Sequence, residues 1–165
     1  MARFSATVES STAIVSGTPS GATANGWFAS VVAGASANFK LRRAIVGVRA
    51  GASVPTSQQV TVALYRQTTR ATGTLTTATG GALDPRSAAT AISGVDTAFT
   101  TNAPVVGATA LHKFTFNTQS GMDIPAELLE EWICDQGAAN GLAFVNIGNT
   151  LPASHLYVLS LEWEE

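Results

Sequence analysis

Charged side chains are scarce in this sequence. Only 12% of its 165 residues are Asp, Glu, Lys or Arg, against roughly 25% in an average soluble domain. The formal net charge of −2 argues against a dense basic face of the kind that displaces counterions from phosphate, so we expect no nucleic-acid partner. A weakly charged surface repels copies of itself only weakly, which favours packing against protein partners.

Cysteine and long apolar runs are equally scarce. Cys134 is the single cysteine, which rules out a disulfide within the chain, and its apolar setting predicts a buried small side chain rather than a nucleophile. No run approaches the roughly 18 apolar residues of a membrane helix. The first residues, 1–5, lack the apolar core of a secretory signal. We therefore expect no membrane partner and no cleaved signal.

Patterns that carry catalysis or metal binding are not apparent. His112 and His155 stand far apart in strand-like runs, so we interpret them as packed or surface residues rather than ligands. Neither a Gly-x-Ser-x-Gly elbow nor a phosphate-binding loop occurs. Carboxylates concentrate in residues 123–135, where Glu127 and Glu131 would share a water-facing side, with no second group to oppose them as in a glycosidase. We expect no enzymatic activity, no cofactor and no metal.

Short apolar segments with the two-residue period of strands recur along the chain. Val60, Val62 and Leu64 alternate with small or polar neighbours, as in a half-buried strand. Similar patterns cover residues 39–48, 111–116 and 155–163, and residues 142–147 are apolar almost throughout, as in a buried strand. Seven or eight such strands, joined by turn-rich stretches, predict an all-β domain with an antiparallel sandwich or barrel.

One segment has helical periodicity instead. Apolar residues in 124–135 fall on one helical stripe, Pro125 suits a first turn, and Gly137 is a plausible stop. We predict one short helix at 124–135. We divide the chain into residues 1–38, an N-terminal strand or arm that is part of the domain or appended to it, and the sandwich of residues 39–165.

Two elements are candidates for a protein interface. Trp27 and Phe28 stand out in a weakly patterned stretch; they belong either to the core or to an arm that orders on a neighbour, with the aromatics as anchors. Lys40, Arg42 and Arg43 form the one basic cluster. This cluster is either a solvated strand face or a surface that steers docking onto an acidic protein, in which case binding weakens as salt rises.

Three segments carry a resemblance to a known group of proteins. They read VTVALYRQTTRATGTLTTATGGALDP, then FNTQSGMDIPAELLEEWICDQGAANGLAFVNIG, and finally LPASHLYVLSLEWEE. In texture and order, residues 40–165 resemble small virion proteins of tailed bacteriophages, especially phages of actinobacteria. The resemblance implies a jelly-roll β-sandwich on the capsid surface, assembled in the host cytoplasm, that decorates or cements the shell.

The same resemblance implies two protein partners, the major capsid protein and further copies of the chain in a trimer. Two other functions stay open at this point. One is a tail- or fibre-associated virion module; if it binds carbohydrate, it needs exposed aromatics such as Trp27 or Tyr65 to stack on a sugar ring. The other is a cellular jelly-roll binding module or enzyme.

Overall fold

Short strands follow one another along almost the whole chain. The computed structural model describes residues 1–11, 14–15, 17, 25–51, 56–73, 75–126 and 131–165. The strands within these ranges are β1 (Arg3–Glu9), β2 (Trp27–Val32), β3 (Phe39–Arg49), β4 (Gln59–Thr69), β5 (Thr76–Ala78), β6 (Gly81–Ala82), β7 (Gly94–Thr97), β8 (Val105–Val106), β9 (His112–Asn117), β10 (Met122–Pro125), β11 (Trp132–Cys134), β12 (Gly141–Asn146) and β13 (Leu156–Glu164). The described residues contain no helix, and the predicted all-β class is confirmed.

These strands form two sheets that pack against each other. Sheet A has the order β10-β3-β13-β1-β6, with β11 also paired to β3. Sheet B has the order β5-β7-β2-β12-β4-β8, with β9 also paired to β4. The paired strands run antiparallel in both sheets. The predicted antiparallel β-sandwich is therefore confirmed.

The main core lies between the two sheets. Alternation along β13 turns Tyr157, Leu159, Leu161 and Trp163 inward, and none of the four is more than 1% exposed. The ring of Tyr157 stacks on Phe28 of sheet B, with centroids 4.3 Å apart and ring planes 18° apart. Fully burying one such side chain stabilises a fold by about 1.5–3 kcal/mol. This layer of alternating residues thus holds the sandwich together.

A second apolar cluster covers the outer face of sheet B. Trp27, Tyr65 and Val145 point away from the main core and pack beneath side chains of the segment that joins β7 to β9, namely Phe99, Ala103, Val106 and Ala110. Sheet B is consequently covered on both faces. This double cover explains why every residue of β12 is buried and why its sequence is apolar almost throughout.

A buried ion pair stabilises the β5 edge of sheet B. Asp96 of β7 is fully buried, and its carboxylate accepts two hydrogen bonds from Arg70, from Nε and Nη2, each 2.6 Å long. The hydroxyl of Thr77 in β5 donates a third, of 2.7 Å. Two-point pairing of a guanidinium with a carboxylate fixes geometry as well as adding energy. The pair therefore joins β5 and β7 to the chain that leaves β4.

The predicted helix at 124–135 is wrong at both of its ends. Residues 122–125 and 132–134 are the strands β10 and β11, which pair in succession with β3; residues 127–130 lie outside the described part of the chain. Ile124 and Cys134 are buried beneath the sheet. Pairing satisfies the backbone groups along the edge of β3, which would otherwise be left open. Tertiary pairing of this kind outweighs local helical periodicity.

The N-terminal residues contribute a strand to each sheet. Within residues 1–38, β1 pairs with β13 over its whole length, and β2 lies between β7 and β12 in sheet B. Residues 12, 13, 16 and 18–24 lie outside the described part of the chain. Val8 therefore belongs to β1, and Trp27 and Phe28 belong to β2.

Candidate interaction surface

In the described part of the chain, the outer face of sheet A consists of half-buried and exposed side chains from three neighbouring strands. Cross-strand pairing arranges the side chains of this face in rows: Arg43 lies opposite Glu162, Ile45 opposite Ser160, and Gly47 opposite Val158. On the far side of β13, β1 adds three further residues to these rows, Ser5, Thr7 and Glu9. All of these residues are half-buried or exposed, in contrast to the covered outer face of sheet B. We call this surface, with Asp123 and Arg49 at its margins, the open face.

Arg42 does not present a free charge on sheet A. Its Nε donates a 2.8 Å hydrogen bond to Oε2 of Glu164, and its two terminal nitrogens bind Glu164 and Glu131. Both carboxylates are largely buried, with side chains 9% and 3% exposed. The hydrogen bond that Arg42 donates to Glu164 is the main reason why the pKa of the Arg42 guanidinium is raised. Arg42 therefore pairs with carboxylates of its own chain, and its charge is not available to a partner.

Arg43 is paired in the same way. Its guanidinium donates hydrogen bonds of 2.9 and 2.6 Å to the two carboxylate oxygens of Asp123, and Glu162 lies 3.6 Å away on the other side. Lys40 is half-buried and stands opposite Glu164 in the register of β3 and β13. The structure thus brings the three predicted basic residues together, but carboxylates on neighbouring strands balance them. The face has no excess of positive charge to steer a partner.

The two predicted aromatic anchors are core residues of the chain. Trp27 and Phe28 are each 2% exposed. Trp27 packs edge-on against Tyr65 in the second cluster, at a centroid distance of 6.3 Å, and Phe28 stacks on Tyr157 in the main core. Burial in the centre of sheet B makes neither ring available at the surface, so the contact surface proposed below does not include them.

We expect Arg43→Ala to return the pKa of the Asp123 carboxyl towards its ordinary value. In the folded chain the hydrogen bond from Arg43 is the main cause that lowers this pKa, because it favours the charged form. A lowered folded-state pKa stabilises the fold above the pKa of the unfolded chain, and this contribution disappears as the pH falls through the folded pKa. Carboxyl NMR titration of both proteins measures the change.

The control for this titration is Arg49→Ala. Arg49 holds the pKa of Glu9 low in the same way, through two hydrogen bonds on the opposite margin of the open face. That substitution should move the Glu9 titration and leave Asp123 unchanged. An Asp123 pKa that does not respond to Arg43→Ala would contradict the pairing.

Cys134, His155 and Glu131 are packed or hydrogen-bonded within the chain, whereas His112 is exposed beside Phe114 and Trp132. Cys134 is 1% exposed, and burial raises the pKa of its thiol to about 11. His155 is buried, its Nε2 accepts the Thr56 backbone N–H at 3.1 Å, and its Nδ1 lies 3.1 Å from the Ala153 carbonyl oxygen. This arrangement fits a neutral imidazole with its proton on Nδ1. Glu131, predicted to face water beside Glu127, instead binds Arg42; Glu127 lies outside the described residues.

The aromatic side chains lie mostly inside the fold. Ten of the twelve Trp, Tyr and Phe residues are buried, and Phe99 and Trp132 are half-buried. The described residues contain no group of three or more His, Cys, Asp or Glu side chains that could hold a metal ion. In the same part of the chain no helix could span a membrane.

A shallow cleft on the open face was not predicted from the sequence. It has a volume of about 370 Å³ and lies above Gly47, between Ile45 and Val158 on the sheet and the turn before β10. Ile45 and Met122 at its margin are 37% and 36% exposed. The available signal in the sequence was a glycine inside an otherwise β-branched run, Ile45-Val46-Gly47-Val48, since interior glycines weaken strands.

Comparison of the chain with profiles of protein families, with curated proteins and with solved structures finds no match. The fold alone therefore defines the class of this protein, which is an all-β domain with two packed antiparallel sheets.

Proposed function

We propose that this chain is a structural, non-enzymatic virion protein that decorates or cements a bacteriophage capsid. The observation that carries the proposal is the asymmetry of the sandwich. The chain covers the outer face of sheet B with its own segment and leaves the outer face of sheet A open. The resemblance of residues 40–165 to small phage virion proteins names the partner, which is the major capsid protein.

The order of the strands supports a jelly roll, the fold that the resemblance implies. Eight strands, β1, β2, β3, β4, β9, β10, β12 and β13, give the order β10-β3-β13-β1 in sheet A and β2-β12-β4-β9 in sheet B. Along the chain each of these strands crosses to the opposite sheet, except that β9 stays beside β4. Two interlocked Greek keys produce this alternation. On this proposal β5 to β8 are an insertion between the fourth and fifth strands.

Two observations favour a structural role over the alternatives. Ring stacking on a carbohydrate requires exposed aromatics, and every aromatic side chain here is at least half-buried. A glycosidase requires two carboxyl groups that face each other across a cleft, and Glu9, Asp84, Asp96 and Asp123 are each held by an arginine. These features give less support to a fibre module that binds sugar or to a cellular enzyme of the glycosidase type.

On this proposal the chain stabilises the shell by mass action. A protein that binds the assembled lattice more tightly than the separated subunits shifts the equilibrium towards the lattice. Such a protein needs no catalytic residue, only a surface that fits its partner. We propose that the open face is that surface, that the chain forms trimers on the shell, and that neither nucleic acid nor membrane is a partner.

Electron cryomicroscopy of purified particles tests this function. We expect density for the chain on the outer surface of the shell, as trimers, with sheet A facing the capsid protein. Because the arginines of the open face are already paired, occupancy should change little between low and high salt. Density in the tail, or particles without the chain, would contradict the proposal, and a steep loss of occupancy with salt would contradict the assignment of the open face.

A further inference from the structure

Gly47 has no evident role within the chain itself. It lies in the interior of β3, where a glycine weakens the strand because it has no side chain to pack. Its φ is outside the left-handed region, and a Cβ at this position would meet nothing within 4 Å. By contrast, a Cβ at Gly141 would lie 2.5 Å from the carbonyl oxygen of Val31. Neither backbone conformation nor a close neighbour therefore requires glycine at position 47.

An interior glycine of this kind often marks the close approach of a ligand or another backbone. The cleft above Gly47 is consistent with such an approach. Ile45, Val158 and Met122 give it apolar walls, and Ser160 stands at its floor. The hydroxyl of Ser160 is already hydrogen-bonded to Thr7, at 2.8 Å. The cleft thus offers space and apolar contact.

The charges around the cleft define what it can accept. On one side Arg43 is paired with Asp123 and Glu162; on the other Arg49 is paired with Glu9 through bonds of 3.0 and 2.7 Å. Arg43 stands against two carboxylates and Arg49 against one, so the margins carry a net charge of −1. An acidic group placed between them would lose water without gaining a partner, which is unfavourable. An uncharged ligand carries no such cost, and it also suits the apolar walls.

We propose that the cleft binds an uncharged, extended segment of another protein, whose main chain lies over Gly47 and whose aliphatic side chain enters between Ile45 and Val158. The inference rests on the proposed function in one respect, which is that this protein is the capsid protein. The absence of a side chain at position 47 lets the two backbones approach, and the walls of the cleft supply the apolar contact.

The decisive variant is Gly47→Leu. Because the added side chain meets open space and fits an extended backbone, the variant should fold and melt at the wild-type temperature or above it. The leucine fills the cleft, so occupancy on shell particles that lack the chain should fall at least tenfold. Gly107→Leu is the matched control, since a Cβ there comes no nearer than 4.0 Å to another atom and the residue lies in the segment that joins β7 to β9, away from sheet A. It should leave occupancy unchanged.

A second measurement is independent of the capsid. The probe is the capped peptide N-acetyl-Thr-Leu-Thr-amide at millimolar concentration, followed by the backbone amide NMR signals of the chain. We expect shifts at residues 45–47 and 158–160 that are lost in the Gly47→Leu variant and much weaker with N-acetyl-Asp-Leu-Asp-amide. Equal shifts with both peptides, no shifts, or shifts that persist in the variant would overturn the proposed cleft chemistry.

The two measurements separate this inference from the proposed function. If the wild-type chain decorates particles and Gly47→Leu decorates them equally well, the cleft is not the contact and the function stands. If the wild-type chain does not bind particles, the function fails and the peptide result alone decides the cleft. A fall in self-association of the Gly47→Leu variant, seen by light scattering, would make a second copy the occupant and overturn the choice of partner.

Discussion

Replacing Leu161 with Ala should lower the free energy of unfolding by about 2–5 kcal/mol. Leu161 is fully buried on the inward side of β13, where it lies between Ala6 of β1 and Ala44 of β3. The small neighbours cannot expand to fill the space that the substitution leaves, so the cost of the cavity adds to the lost burial. Since the whole stability of a domain is about 5–15 kcal/mol, we expect a large shift of the urea midpoint.

Val158→Ala is the matched control on the same strand. Val158 points outward and is half-buried, so its truncation should cost about 1 kcal/mol or less. The two variants also separate folding from docking, because Val158 lines the cleft and Leu161 does not. We expect Leu161→Ala to reduce the folded fraction and Val158→Ala to reduce capsid occupancy. Equal losses of stability would show that β13 does not have the assigned inward and outward faces.

Removing the carboxylate of Asp96 should be the most damaging change among the charged residues. Asp96→Ala leaves the guanidinium of Arg70, whose side chain is 33% exposed, without its partner, and it leaves the Thr77 hydroxyl without its acceptor. Breaking a buried ion pair by deleting one member typically costs about 3–5 kcal/mol, and the partial exposure of Arg70 places this pair near the lower end. Urea unfolding with wild-type and variant proteins measures the loss.

Asp123→Ala tests how much of the stability loss in Asp96→Ala comes from the burial of its ion pair. Its pair with Arg43 has the same two-point geometry, but the two side chains are 46% and 40% exposed. Water replaces a lost partner at such a site, so the loss of stability should be far smaller than for Asp96→Ala. A comparable loss in both variants would mean that pairing geometry, and not burial, governs these arginine–carboxylate pairs.

Much of the fold could be predicted from the local pattern of residues. The two-residue period of residues 155–163 predicted the strand β13 and its inward face, because a side chain that faces a core must be apolar at every second position. The continuous apolar run of 142–147 predicted a buried strand, and β12 lies between two covered faces of sheet B. Seven or eight short strands with turn-rich joins predicted an antiparallel sandwich or barrel. These features follow from each strand's own surroundings.

The helix predicted at 124–135 shows where local pattern misleads. Apolar residues three and four apart satisfy a helical stripe, yet the same segment supplies Ile124 and Cys134 to the inner side of sheet A through two short strands. The open edge of β3 decided between the two conformations. That edge is formed by residues more than 70 positions away along the chain, so no window of sequence around 124–135 contains it.

The sequence by itself determined that this protein is all-β, which residues of β4 and β13 face the main core, and that its surface carries little charge. Only the tertiary structure decided that Arg42 and Arg43 are neutralised by carboxylates from other strands, that Trp27 and Phe28 are buried, and that Gly47 lies in a cleft on the open face. The physical reason is the separation of the interacting residues along the chain. Alternation and hydropathy act between neighbours in sequence, whereas ion pairing, burial and empty space depend on strands that meet only after the sheets have formed.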